Sequence, residues 1–146
     1  GFGDAGNVLT EGSVDKLIFV GSVEVGRKVQ ESCAKSLTPL CLELGGKDPF
    51  IICDDASPSG IAQLAVRGVF QNMGQNCAGP ERFLVYDKVY DEFVNTVTEI
   101  VSKMHQGPTL GSGFVDCGAC RLPQQLAMMQ SLVDDAVKQG AKVKTG

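Results

Sequence analysis

Two residues of this 146-residue chain, Glu43 and Cys77, stand where side chains of their type do chemistry. Glu43 lies within the otherwise apolar segment Leu42-Glu43-Leu44 and is followed by two glycines and Lys47. Apolar surroundings disfavour a charged carboxylate, which would suit Glu43 to general-base work near neutral pH. A strand-end glutamate that pairs with Lys47 or faces solvent explains the same pattern equally well.

Cys77 lies in the segment Phe70–Gly79, in a glycine-flanked loop just after the end of a predicted helix. The small neighbouring residues leave room for a ligand, and a thiol that loses its proton is a strong nucleophile. An incidental loop cysteine accounts for this motif taken alone. Together, Glu43 and Cys77 are predicted to place a base and a nucleophile on two loops of one sheet.

The elements that must position these residues alternate between strands and helices. Apolar periodicity predicts strands over 16–20, 38–44, 49–53 and 82–86, and helices over 22–35, 57–74, 87–104 and 123–139, with a further strand beginning near Lys144. This alternation is typical of βαβ units, so we predict an α/β fold with mostly parallel sheets and flanking helices. The helix faces expected to point to the core are Val25, Val29 and Cys33; Ile61, Leu64, Ala65, Gly68 and Val69; and Tyr90, Phe93, Val94, Val97, Ile100, Val101 and Met104.

A glycine-rich turn, Gly21–Gly26, joins the first predicted strand to its helix. Such a turn lets a helix N-terminus approach a pyrophosphate: Gly21 allows the sharp turn, Ser22 offers a hydroxyl, and Gly26 allows close packing of the helix. The spacing departs from G-x-G-x-x-G, so an ordinary turn with a Ser22 cap explains it as well. The glycines at 1, 3 and 6 form a second such segment, which has no local interpretation.

The composition excludes several classes of protein. A net charge of −4 argues against a general nucleic-acid binder, and no apolar run is long enough to span a bilayer. Cys33, Cys41 and Cys53 lie in apolar segments and are expected to be buried, so we interpret the six cysteines as reduced thiols in an intracellular compartment. Both ends suggest an internal piece of a longer protein that lacks its N-terminal targeting region.

Cys117 and Cys120 form a C-x-x-C pair, which could belong to a thiol-redox protein or to half of a zinc site. A second C-x-x-C is absent, and the single histidine, His105, precedes the pair. We therefore predict two ordinary loop cysteines and no metal site.

The two motifs around Glu43 and Cys77 resemble the paired active-site signatures of the aldehyde dehydrogenase superfamily. They occur in the family's order, after a Phe19–Gly26 segment that is similar to its cofactor turn, and the resemblance runs the length of the chain. It implies Rossmann-like sheets and two partial domains: residues 1–44 from the cofactor-binding domain and 45–146 from the catalytic domain. Val20 is one departure, since many members carry threonine there.

The resemblance also implies a mechanism. Cys77 would attack an aldehyde and pass through a thiohemiacetal and a thioester, with Glu43 as the general base that activates water to release a carboxylic acid. NAD or NADP, with NAD favoured, would be held by Gly3, Gly21, Ser22, Gly26 and the Leu44 backbone. The full-length protein would be a homo-oligomer. We expect the isolated chain to be inactive; the alternative is a truncated, non-catalytic cofactor-binding or interaction module.

Overall fold

The computed structural model describes residues 3–111 and 113–146, and the chain divides into two compact units, Gly1–Gly46 and Lys47–Gly146. Each unit contains parallel strands joined through a helix, which confirms the predicted α/β class. Because the crossover between parallel strands must span their length, a helix is its usual form.

The first unit consists of α1 (Gly3–Glu11), β1 (Leu17–Gly21), α2 (Val23–Ser36) and β2 (Leu40–Leu44). β1 pairs with β2 in parallel, from Leu17 opposite Leu40 to Gly21 opposite Leu44. α1 was not predicted, because its glycines are poor helix formers. It is tied to α2 by a 3.1 Å hydrogen bond from Thr10 Oγ1 to Ser32 Oγ and a 3.1 Å ion pair between Lys35 and Glu11.

α2 buries Gly26, Val29 and Cys33, while Val25 is exposed. The prediction that Val25 faces the core was therefore wrong. Residues three and seven positions apart share one face of a helix, and that face passes through Gly26 rather than through its neighbour Val25. The predicted Ser22 cap is confirmed, since Ser22 Oγ accepts a 3.3 Å hydrogen bond from the Val25 N–H.

Burial alternates along β1 and β2, with Ile18, Val20, Cys41 and Glu43 all exposed. Side chains of successive strand residues point to opposite faces, so within this unit one face of the sheet is less covered than the other. Cys53, which follows β3, is exposed too, and only Cys33 of the three cysteines expected in the core is buried. The expectation for Cys41 and Cys53 was wrong because an apolar run does not indicate which strand face is covered.

The second unit contains β3 (Asp48–Ile52), α3 (Pro58–Phe70), a 3₁₀ turn (Gln71–Gly74), β4 (Pro80–Val85), α4 (Asp87–Ser102) and α5 (Pro123–Lys138). β3 and β4 are parallel, with a register shift between Asp48 and Pro49. The core of this unit consists of five buried residues from β3, α3 and α4: Ile52, Ala62, Ala65, Val89 and Phe93.

Two large side chains expected in that core are exposed instead, Leu64 at 56% and Tyr90 at 48%. The buried face of α3 passes through Ala62, Ala65 and Val66, and small residues there allow α3 to lie close to its neighbours. The periodicity of α4 is otherwise confirmed by buried Phe93 and by half-buried Val94, Val97 and Ile100.

α5 begins at Pro123 as predicted, and Gly140 follows its end with a left-handed φ of 100°. Residues 141–146 have no regular secondary structure, so the strand expected near Lys144 was wrong. A strand needs a partner for its backbone hydrogen bonds, and in the described part of the chain no strand pairs with this segment.

Candidate functional site

Cys77 lies in the loop that connects the 3₁₀ turn after α3 to β4. Asn72, Met73 and Gly74 take up three consecutive left-handed conformations, with φ of 52°, 56° and 70°. A left-handed non-glycine residue costs about 1–3 kcal/mol, and asparagine tolerates it better than methionine. The chain is therefore forced into a sharp reversal just before Cys77.

Side chains within the loop hold this reversal in place. Asn72 Nδ2 donates to the Gln75 carbonyl at 2.9 Å, and Gln75 Nε2 donates to the Asn72 carbonyl at 3.3 Å. Gln75 Oε1 also accepts a 2.9 Å hydrogen bond from the backbone N–H of Arg121. Sequence reasoning missed the roles of Gln75 and Arg121; the only available signal was the Asn-Met-Gly turn beside Cys77.

The Cys77 thiol is exposed, and its Sγ lies 3.9 Å from Asn76 Oδ1. An exposed thiol in a constrained loop is accessible to a small electrophile. The following turn is closed by the Gly79 N–H, which donates to the Asn76 carbonyl at 3.4 Å. The Cys77 thiol is therefore exposed to solvent on a loop whose backbone is fixed by hydrogen bonds.

In the first unit, most of the residues expected to contact a cofactor gather at one edge of the sheet. Gly21 ends β1 directly opposite Leu44, which ends β2, and Ser22 then caps α2. The carboxyl ends of two parallel strands thus meet the N-terminus of the helix between them. This is the arrangement at which open α/β sheets usually bind ligands.

The N-terminus of α2 fits a phosphate-bearing ligand such as a nicotinamide dinucleotide. Ser22 Oγ accepts a hydrogen bond from the Val25 N–H. Within residues 3–111 and 113–146, no acceptor binds the N–H groups of Val23 and Glu24. Such N–H groups, at the positive end of a helix dipole, favour an anion. The carboxylate of Glu24 is paired with Lys28 at 3.1 Å, which offsets its negative charge there.

The two glycines of this turn serve different purposes. A Cβ on Gly26 would lie 2.7 Å from Leu44 Cδ2, so Gly26 allows α2 to pack closely on β2 as expected. A Cβ on Gly21 would lie 2.6 Å from Phe19 Cζ, so the space beside Gly21 is filled by the Phe19 ring. Gly3, by contrast, is exposed at the first turn of α1 and has nothing within 4 Å of its Cβ position.

Glu43 pairs with Val20 in the register of β1 and β2, and its side chain is exposed. The first unit therefore does not by itself provide the apolar surroundings that the sequence suggested for this carboxylate. Lys47, the alternative partner considered for Glu43, makes a 2.8 Å ion pair with Glu81 in the second unit.

The other candidates from the sequence are the remaining cysteines, including the pair Cys117 and Cys120. All six cysteines lie outside disulfides, and the described residues contain no group of three or more metal-ligating side chains. Cys120 Sγ lies 3.7 Å from the Leu122 carbonyl and 3.7 Å from Gln125 Oε1. The described helices include none that is long and apolar enough to cross a membrane.

An apolar cavity of about 420 Å³ occurs in the second unit, between α3, α4 and residues 142–145. Its walls include Phe70, Phe93 and Val97, and Cys77 is not among its lining residues. The cavity therefore belongs to the packing of the helices and not to the cysteine loop.

Two features stand out: the edge where β1, β2 and the N-terminus of α2 meet, and the loop that carries Cys77. Together with the fold, they define an α/β protein with a dinucleotide-type strand–turn–helix edge and an exposed loop thiol. The model of the aldehyde dehydrogenase family matches residues 2–146. The chain belongs to the aldehyde dehydrogenase family, as its sequence motifs led us to expect.

Individual relatives agree with this membership. The succinate-semialdehyde dehydrogenase [NADP(+)] GabD of Escherichia coli is 40% identical over 145 residues, which are 99% of this chain and 30% of that protein. The cytosolic aldehyde dehydrogenase 1 of Rattus norvegicus is 38% identical over 91% of this chain and 26% of its own length. The chain thus spans less than a third of either curated relative.

Solved structures of related enzymes contain the same fold as this chain. The succinate-semialdehyde dehydrogenase of Burkholderia pseudomallei superposes with a TM-score of 0.95 at 35% identity, over 100% of this chain and 30% of that one. The crystal structure of an NADP-dependent enzyme of E. coli gives a TM-score of 0.93 at 39% identity, over 98% of this chain and 30% of that one.

Proposed function

We propose that the protein containing this chain oxidises an aldehyde to a carboxylic acid with NAD(P)⁺, using Cys77 as the nucleophile. The observation that carries this proposal is the exposed Cys77 thiol on its constrained loop, in a chain that belongs to the aldehyde dehydrogenase family. Residues 1–44 are then proposed as part of the cofactor-binding domain and residues 45–146 as part of the catalytic domain, a division that lies close to the boundary between the two compact units.

In the proposed reaction, the Cys77 thiolate bonds to the carbonyl carbon of the aldehyde and gives a thiohemiacetal. The Cys77 backbone N–H helps to stabilise the oxyanion, a role that backbone amides suit because they are fixed before the reaction. Bound NAD(P)⁺ supplies the hydride acceptor. Glu43 removes a proton from the water that hydrolyses the resulting Cys77 thioester, which releases the acid and restores the thiol.

The cofactor is proposed to bind at the carboxyl edge of β1 and β2. The N-terminus of α2 and the Ser22 hydroxyl bind its pyrophosphate beside Gly21, Gly26 allows the helix to approach, and the Leu44 backbone lies near the nicotinamide. Gly3 is proposed as a further contact. The names of relatives support NAD(P) in general; they lend no support to the expected preference for NAD, because GabD is named as an NADP⁺ enzyme.

The proposed substrate belongs to the class of small aldehydes. Relatives are named for succinate semialdehyde, glutarate semialdehyde and benzaldehyde, so they span aliphatic aldehydes that carry a carboxylate and an aromatic aldehyde. The proposed partners are a small aldehyde and, for the full-length protein, further copies of itself. A piece with no catalysis of its own, acting as a cofactor-binding or interaction module, stays the alternative.

Replacing Cys77 with alanine in the intact protein tests the proposal. We expect Cys77→Ala to abolish NAD(P)⁺-dependent aldehyde oxidation, because the nucleophile is lost. The rate is measured from the absorbance of reduced cofactor at 340 nm and should fall to roughly the uncatalysed background. Cys53→Ala is the matched control, since Cys53 is also an exposed cysteine of the second unit, and it should keep full activity. Unchanged turnover in Cys77→Ala would contradict the assignment.

A further inference from the structure

The backbone before Cys77 is held by a residue that takes no part in the proposed reaction. Asn72, Met73 and Gly74 are all left-handed, and Gln75 is the first residue after them. A strained reversal of this kind persists only where surrounding groups fix it. The groups that fix it therefore determine the position of Cys77, which lies three residues after Gly74.

The Gln75 side chain bonds the reversal to a distant segment of the chain. Its Nε2 donates to the Asn72 carbonyl at 3.3 Å, and its Oε1 accepts from the Arg121 N–H at 2.9 Å. Its backbone N–H also donates to the Asn72 carbonyl at 3.1 Å. Gln75 thus links the reversal to a segment 46 residues further along the chain.

That segment is itself anchored and lies close to the reversal. Gly118 is buried, and a Cβ on it would lie 3.6 Å from Met73 Sδ and 2.9 Å from Thr109 Cγ2. Gln106 Nε2 donates to the Gly118 carbonyl at 3.3 Å, and the Gly107 N–H donates to the Cys117 carbonyl at 3.0 Å. The hydrogen bonds from Gln106 and Gly107 therefore hold residues 117 and 118 in place, just before Arg121, whose N–H Gln75 binds.

We infer that Gln75 is a positioning residue for Cys77: by bridging the Asn72 carbonyl and the Arg121 N–H, it fixes the thiol in the orientation from which it attacks the aldehyde. This inference rests on the proposed function for the role of Cys77. The physical reason is that a small displacement of a nucleophile greatly slows attack, while binding of substrate elsewhere is little changed.

The test compares Gln75→Met, which removes both side-chain hydrogen bonds at similar length, with Gln63→Met as the matched control in the intact protein. Gln63 is exposed on α3 and lies outside the loop. Gln75→Glu keeps an oxygen for the Arg121 N–H and is the second variant. The readouts are kcat and KM for aldehyde oxidation, and the alkylation rate of each cysteine by iodoacetamide against pH, with Cys53 as internal reference.

For Gln75→Met we expect kcat to fall by about tenfold or more with KM changed by less than about threefold. The pH profile of Cys77 alkylation should shift while that of Cys53 stays constant. Gln75→Glu should recover part of kcat, and Gln63→Met should match the wild type.

Folded Gln75→Met with unchanged kcat and unchanged Cys77 alkylation would overturn the inference, as would parallel changes at Cys77 and Cys53. If Gln75→Met does not fold, Gln75→Glu decides by the same two readouts. Alkylation of Cys77 does not depend on turnover. If Cys77→Ala keeps its activity, the proposed function fails while the alkylation profiles still report whether Gln75 positions the thiol.

Discussion

Gly26 of α2 packs against Leu44 of β2 so closely that a Cβ on Gly26 would lie 2.7 Å from Leu44 Cδ2. This contact joins the helix of the glycine-rich turn to the strand that carries Glu43. Because Leu44 also lies opposite Gly21, a change at Gly26 would disturb the edge at which the cofactor is proposed to bind.

Alanine at Gly26 should stabilise the protein less than alanine at Gly6 does. Both glycines lie within helices, so each substitution gains about 0.5–1 kcal/mol of helix propensity. Gly6 has nothing within 4 Å of its Cβ position, but at Gly26 the end of the Leu44 side chain must shift, which offsets part or all of that gain. Urea unfolding of the intact protein measures both, and adding Leu44→Ala should relieve the clash; equal gains at the two glycines would contradict the contact.

Ser22→Ala should lower the free energy of unfolding by about 0.5–2 kcal/mol, since it removes the bond from the Val25 N–H to the capping hydroxyl. Ser57 is the matched control: it occupies the cap position of α3 without a side-chain cap hydrogen bond. Ser57→Ala should change stability by about 0.5 kcal/mol or less. Fluorescence titration with NAD(P)H should show weaker binding for Ser22→Ala alone, and identical affinities would count against the proposed pyrophosphate contact.

Glu43→Gln should separate the two halves of the proposed reaction. Glutamine cannot remove a proton from water, so a rapid burst of about one reduced cofactor per site should be followed by turnover slowed by about 10²–10⁴-fold. Stopped-flow absorbance at 340 nm records the burst. Glu31→Gln, at an exposed carboxylate of α2, is the control and should behave as the wild type. Normal steady-state turnover of Glu43→Gln would exclude Glu43 as the base.

Two adjacent isoleucines of β3 should respond very differently to truncation. Ile52 is 1% exposed within the core of the second unit, whereas Ile51 is 62% exposed on the other face. Ile52→Ala should lower the free energy of unfolding by about 2–5 kcal/mol, and Ile51→Ala by about 1 kcal/mol or less. Comparable losses in urea unfolding would mean that another part of the protein covers Ile51.

The pKa of the Glu99 carboxyl is lowered by a hydrogen bond from Lys103 and by the charge of that ammonium, with Nζ and Oε1 2.6 Å apart. A lowered folded pKa makes the contribution of this pair to stability present above the ordinary glutamate pKa and lost as the pH falls through the folded value. Lys103→Met should therefore raise the pKa of Glu99, as followed by NMR titration. Lys88→Met, elsewhere on α4, should leave it unchanged.

The sequence predicted most of the helices and strands, because their apolar spacing and their end residues act locally. Ser22 before α2, Pro123 at the start of α5 and Gly140 after its end all mark boundaries that the structure confirms. The sequence did not predict α1, and the faces predicted for Val25, Leu64 and Tyr90 were wrong. Glycine-rich helices have weak local signals, and a helix with apolar residues on several sides does not indicate which side will be covered.

The sequence by itself determined the family, the α/β class and the candidates Glu43 and Cys77, since these depend on residue types in a fixed order. Only the tertiary structure decided that Glu43 and Cys41 lie on the exposed face of β2, and that the Cys77 loop is held through Gln75 by Arg121. The exposure of a strand face and a hydrogen bond across 46 residues both depend on which segments pack together. The spacing of residue types along the chain does not indicate that packing.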